Sequence, residues 1–191
     1  MKPDGGHFVR LLCILLLITV STSGCLVRSV HSWLGSETAV EQPILLGTWI
    51  DREKNDHAIF LEGADGKYRI LLQGDGLEDH NWFEGKLHHV DDVLLLDVLP
   101  LERDDREFLA VLPLHLLFRV SFDKETMNIR TLHLDSFDDR AAAAGIATLA
   151  ETGDPVVATT EELEAFVRTN LTDSTFFDAE PLYSLQRIMP R

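Results

Sequence analysis

Thiols are nearly absent from this chain: its 191 residues include two cysteines, Cys13 and Cys25. Residues 26–191 can therefore form neither a disulfide nor a cysteine metal site, and their stability must come from an ordinary apolar core. Cations are the second shortage. Leaving out residues 1–24 removes Lys2, Arg10 and Asp4, so 15 Lys and Arg face 31 Asp and Glu, a formal charge of −16. Such a domain repels phosphate backbones, which argues against nucleic acid as a partner. It repels anionic lipid head groups as well, so no basic patch can hold it at a membrane. Long apolar runs are the third shortage. Leu11–Val20 has ten residues, where a spanning helix needs about 20. Catalytic motifs are also missing: there is no Gly-x-Ser-x-Gly, no His-Glu-x-x-His and no helical His-x₃-His.

What is present begins at the N-terminus. Lys2 and Arg10 precede Leu11–Val20, and Ser21-Thr22-Ser23-Gly24-Cys25 follow. A basic start, a short apolar core and small residues make a secretory signal; an uncleaved anchor with an incidental Cys is the alternative. Ser23-Gly24-Cys25 resembles a bacterial lipobox. The resemblance implies that residues 1–24 are removed as a signal peptide and that Cys25 is lipidated. The chain's partner is then a membrane, reached through the acyl chains. Leu26, rather than Asp, follows the Cys, which in Gram-negative lipoproteins implies the outer membrane, facing the periplasm. Residues 25–42 read as the lipidated Cys and a tether. Trp33 and Leu34 dock either on the domain or at the membrane interface.

Residues 43–191 read as one domain. Strands are expected at Leu45–Asp51, Ala58–Glu62, Lys67–Gln73, Trp82–His89, Val93–Leu99, Leu112–Phe122 and Met127–Leu134. Asp65-Gly66 signals a hairpin, and Gly74-Asp75-Gly76 ends a strand. In the longest strand Leu112, Leu114, Leu116, Phe118, Val120 and Phe122 share one face, opposite His115, Leu117, Arg119 and Ser121. That period of two means one buried face and one mostly wet face. A mainly β (α+β) fold follows: an antiparallel meander curled into a barrel or half-barrel, with two C-terminal helices. Ser136 is expected to cap a helix over Arg140–Leu149, and Thr159-Thr160-Glu161-Glu162 to open a second, with the stripe Leu163, Phe166, Val167. Pro155–Ala158 and Leu182–Ile188 read as short strands.

Gly47-Thr48-Trp49 at the head of the first long strand resembles the Gly-x-Trp signature of lipocalin-like barrels. The resemblance implies that Trp49 plugs the closed end, that Gly47 lets the chain pass close by, and that an Arg stacks on the Trp. Arg187 and Arg130 are both candidates. Taken as a plain core aromatic, Trp49 needs no family. The pattern Thr159-x-x-Glu162-Leu163-x-x-Phe166, then Phe176, resembles uncharacterised bacterial envelope lipoproteins, a group without an assigned activity.

Candidate chemistry is thin. His57, His80, His88, His89, His115 and His133 lie in or near the strands, but adjacent His88 and His89 point oppositely, and no ligand spacing recurs. Scattered surface histidines, with no metal and no cofactor, are the expectation. Asp91-Asp92 and Asp104-Asp105 read as solvated turn acids, and Ser136 beside Asp135 as a cap. Asn170-Leu171-Thr172 matches a glycosylation sequon without meaning in this setting. Three functions remain. The first is binding a small apolar ligand or lipid; the second is a structural or assembly role through contacts with an envelope protein; the third and most distant is hydrolysis.

Overall fold

The computed structural model describes residues 26–74, 80–101, 114–123, 125–149 and 155–188. Cys25, Asp75-Gly76, Asp104-Asp105 and Leu112 lie outside them. Among the described residues nine strands form one antiparallel sheet: β1 (Arg28–Ser29), β2 (Gly47–Asp51), β3 (Asp56–Glu62), β4 (Tyr68–Gln73), β5 (His80–Val90), β6 (Val93–Leu101), β7 (His115–Asp123), β8 (Thr126–Thr131) and β9 (Tyr183–Arg187). β2 to β8 pair in sequence order, and β9 joins β2 to β8, so eight strands close into a barrel. Closure leaves no free edge in the ring.

Alternation decides what faces inward. Leu116, Phe118, Val120 and Phe122 of β7 point into the barrel with Leu94, Leu96 and Val98 of β6 and Met127 and Ile129 of β8. Leu117, on the opposite face of β7, is also buried. It is not wet because a second layer covers that side. Two helices make this layer, α1 (Leu134–Ala144) and α2 (Thr160–Asn170). Phe137, Phe166, Val167 and Phe176 pack with Leu95 and Leu117 on the outer wall. The molecule thus has two apolar cores, one inside the ring and one between ring and helices.

The first helix departs from expectation. It begins at Leu134, six residues before Arg140, and the N-cap is His133 rather than Ser136. The imidazole Nδ1 of His133 accepts from Ser136 N at 3.3 Å. An imidazole acceptor does the work of a hydroxyl, which cap preferences drawn from Ser, Thr, Asp and Asn do not anticipate. Gly145, left-handed with φ 69°, ends the helix, so Ile146–Leu149 are not helical. α2 starts as expected: Thr159 Oγ1 accepts from Glu162 N, and Glu162 Oε2 accepts from Thr159 N at 2.8 Å. Arg140 clips the helices together, donating to Asn170 Oδ1 at 2.8 Å and Asp173 Oδ2 at 2.6 Å. Thr175 N–H first, and Arg140 second, hold the Asp173 carboxyl down at about 2. Asn170 of the sequon is thereby engaged with α1.

Residues 26–42 lie on the body, not apart from it. β8 leaves β7 after Thr131 to enter α1, and β1 takes the vacated edge, pairing Arg28 with Leu116 and Ser29 with His115. Val156, in the expected short strand, bridges to Ser29 and Thr148. Trp33 is 0 % exposed. It stacks edge-on against Phe137 at 6.0 Å, and its Nε1 donates to His115 O at 3.2 Å. Both Trp33 and Leu34 therefore dock on the domain.

Candidate functional site: the barrel interior

The two ends of the barrel are built differently. At one end Gly47 adopts φ 124°, a conformation side chains oppose. The Arg187 guanidinium lies 3.7 Å from where a Cβ would stand, an ordinary contact, so the backbone conformation and not space calls for glycine. β9 pairs antiparallel with β2 and sets Trp49 opposite Arg187. The guanidinium carbon lies 5.6 Å from the centre of the Trp49 rings, within cation–π range. Arg187 also donates to Leu46 O at 2.9 Å, and Trp49 Nε1 donates to Leu45 O at 2.9 Å. The short 3₁₀ turn Pro43–Leu45 is thus fastened across the end of the barrel from both sides. Trp49 is 1 % exposed and leans on Phe122 at 6.2 Å. Of the two candidate arginines, Arg187 is the one on Trp49. Arg130 instead bonds Ser121 Oγ and Ala179 O.

At the other end the ring holds a void. A cavity of about 160 Å³ lies among Ala58, Phe60, Ile70, Phe83, Leu96 and Phe118, with Leu26, Leu72, Leu116, Leu182 and Tyr183 nearer the rim. Leu72, Phe83, Leu116 and Phe118 face inward yet are only partly buried. Solvent therefore reaches the interior from this end. The lining is almost wholly apolar, Tyr183 being its one polar-tipped residue. Burial first, then Asp56 and Asp51, pushes the Tyr183 phenol upward, so it stays a neutral O–H. Asp51, which is buried, stitches the rim: Oδ1 accepts from Glu53 N and Lys54 N, and Oδ2 from Ser184 N at 3.1 Å.

The remaining candidates disperse. Asp91 holds φ 52° in the turn between β5 and β6, a backbone role. His89 is exposed, and His133 caps α1. His88 breaks the pattern of surface histidines, being 1 % exposed. His115 is bound to Asp97 at 2.8 Å. Sequence reasoning missed this pair because Asp97 stands in an apolar strand and meets His115 only through sheet register. Among the described residues no group of three or more His, Cys, Asp or Glu is placed to hold a metal ion, and no helix is long and apolar enough to cross a membrane. No protein-family model, curated protein or solved structure matches the chain.

Proposed function

We propose that this chain is a lipocalin-like carrier. The barrel takes a small apolar molecule, or the end of an acyl chain, through the end opposite Trp49, and a lipid on Cys25 holds it at an envelope membrane. The observation that carries the reading is the apolar void inside a ring otherwise closed by Trp49 and Arg187. Its size sets the ligand. A dry cavity of about 150 Å³ accommodates one benzene ring, and drug-sized sites run to about 300–1,000 Å³. At about 160 Å³ the interior suits one ring or a short stretch of alkyl chain. Benzene titrated into the full chain should move the methyl resonances of Ile70, Leu96 and Val98 saturably. Val98→Phe should fill the void at an overpacking cost of about 1–3 kcal/mol and weaken benzene about tenfold or more. Equal benzene affinity in Val98→Phe would remove the interior as the site.

The anchor has its own test. Cells producing the chain and fed a labelled fatty acid should label it, and Cys25→Ser should abolish the label. A labelled Cys25→Ser chain would sink lipidation at that residue while leaving the barrel reading intact.

One observation favours the second reading, a structural or assembly role through protein contacts. On the wall away from the helices, Thr48, Ile59, Leu71, Trp82 and Leu101 are successive register partners across β2 to β6. Ile188 extends this row through its bond to Thr48 O, and both Ile188 and nearby Leu61 are exposed. An apolar row on an outer wall is what a partner protein would cover.

A further inference from the structure

The N-terminal segment and the mouth of the barrel meet at Leu26. This residue lines the apolar void together with Leu116, Phe118 and Leu182. It also lines a neighbouring hollow of about 300 Å³, with Leu132, Leu134, Asp178 and again Leu182. Strand register puts it there. Arg28 pairs with Leu116 near the start of β7, and the last pair of β7 with β8 is Phe118 with Thr131. Two residues before Arg28 the chain thus reaches the end of β8, on the open rim. Trp49 and Arg187 close the opposite end.

Were residues 25–42 free, they would span up to about 60 Å, enough to let the domain turn any face to a membrane. They are fastened instead. Val27 is buried. Val30 N donates to Val156 O at 2.9 Å, and Val156 N donates to Arg28 O at 2.8 Å. Trp33 N donates to Asp97 Oδ2 at 2.9 Å. Cys25 is bonded directly to the rim residue, its Cα about 3.8 Å from that of Leu26. A lipid on Cys25 therefore leaves the protein at the mouth. The mouth also has a surface suited to lipid, since Leu26, Leu72, Leu116 and Leu182 are only half-buried there. The acidic domain gains nothing from anionic head groups, so the anchor point and not charge sets the orientation.

We infer that the open end of the barrel is held against the bilayer, and that an apolar ligand passes between membrane and barrel interior without crossing water. The inference rests on lipidation at Cys25 and deepens the carrier reading: the partner of the mouth is the lipid surface itself. Exposing apolar surface to water is what opposes release of such a ligand into solution, and direct contact removes that step. The closed end, with the turn Pro43–Leu45, then faces away from the membrane.

Depth-dependent quenching at the two ends tests the orientation. In the lipidated chain Cys13 has left with the signal and Cys25 is acylated, so one added cysteine is the one free thiol. Glu53→Cys puts it in the β2–β3 turn at the rim, and Glu62→Cys at the far end of β3; both positions are exposed. They lie on the same wall, a strand length of about 20 Å apart, so only an end-on orientation separates them. Each lipidated chain, with a fluorophore on that thiol, is bound to phosphatidylcholine vesicles whose head groups carry a nitroxide. The Glu53→Cys label should lose most of its emission, and the Glu62→Cys label should keep most of its own. Equal emission from the two, or stronger quenching of Glu62→Cys, would overturn the inference and leave lipidation standing. A purified chain whose mass shows no acyl group on Cys25 would overturn both. Neither result touches the benzene titration, which tests the barrel interior on its own.

Discussion

Trp49→Ala should lose about 3–5 kcal/mol of stability, the range for removing a buried large aromatic. More than volume goes. Trp49 is the surface on which Arg187 stacks and the donor that fixes Leu45 O, so the turn Pro43–Leu45 loses one of its two fastenings. Trp49→Phe keeps an aromatic face for the cation and drops the indole N–H, and should cost markedly less. Urea unfolding of the three chains measures the difference. A native-like midpoint for Trp49→Ala would mean that Leu45, Leu87, Phe122 and Met127 close the end without it. The contrast between Ala and Phe separates the stacked ring from the hydrogen bond.

The second large effect belongs to the outer core. Trp33, Phe137, Phe166, Phe176 and Phe177 form a chain of edge-to-face contacts, with successive ring centres 5.1–6.0 Å apart. Phe137 is the link between the N-terminal segment and α2. Phe137→Ala should cost about 3–5 kcal/mol by cavity formation, with something more for the lost edge contacts, each about 0.5–1.5 kcal/mol. The loss should be unevenly felt. Amide exchange should quicken in α1, in α2 and around Trp33, while β3 and β4, which touch none of these rings, keep more of their protection. Uniform acceleration across β3, β4 and the helices would show that the two cores unfold as one.

The barrel was legible where apolar residues recur at every second position along a strand. β7 declared itself through Leu116, Phe118, Val120 and Phe122, and the β3–β4 hairpin through Asp65-Gly66, whose φ values are both positive. Closure was foreseen only as one option because β9 is short and pairs with residues far away in sequence. The start of α1 was misplaced for a local reason: Met127–Leu134 is apolar enough to read as strand throughout, and the cap that ends it is a histidine. Trp49 was visible as a signature, but its partner was not, since choosing Arg187 over Arg130 requires the β2–β9 register. The contacts of Asp97 were invisible. Asp97 sits between Leu96 and Val98, and nothing in a linear pattern says that Trp33 N–H will reach it.

The position of β9 has a consequence for how the molecule comes into being. The ring is one strand short until Tyr183–Arg187 fits between β2 and β8. Without that strand, β2 to β8 can form at most an open seven-stranded sheet with two raw edges. Pairings between residues so distant in sequence are entropically late and slow. The barrel cannot shut before residues 183–187 reach both β2 and β8. A sheet lacking β9 would leave the edges of β2 and β8 bare, and bare edges are where one copy of a chain adheres to another.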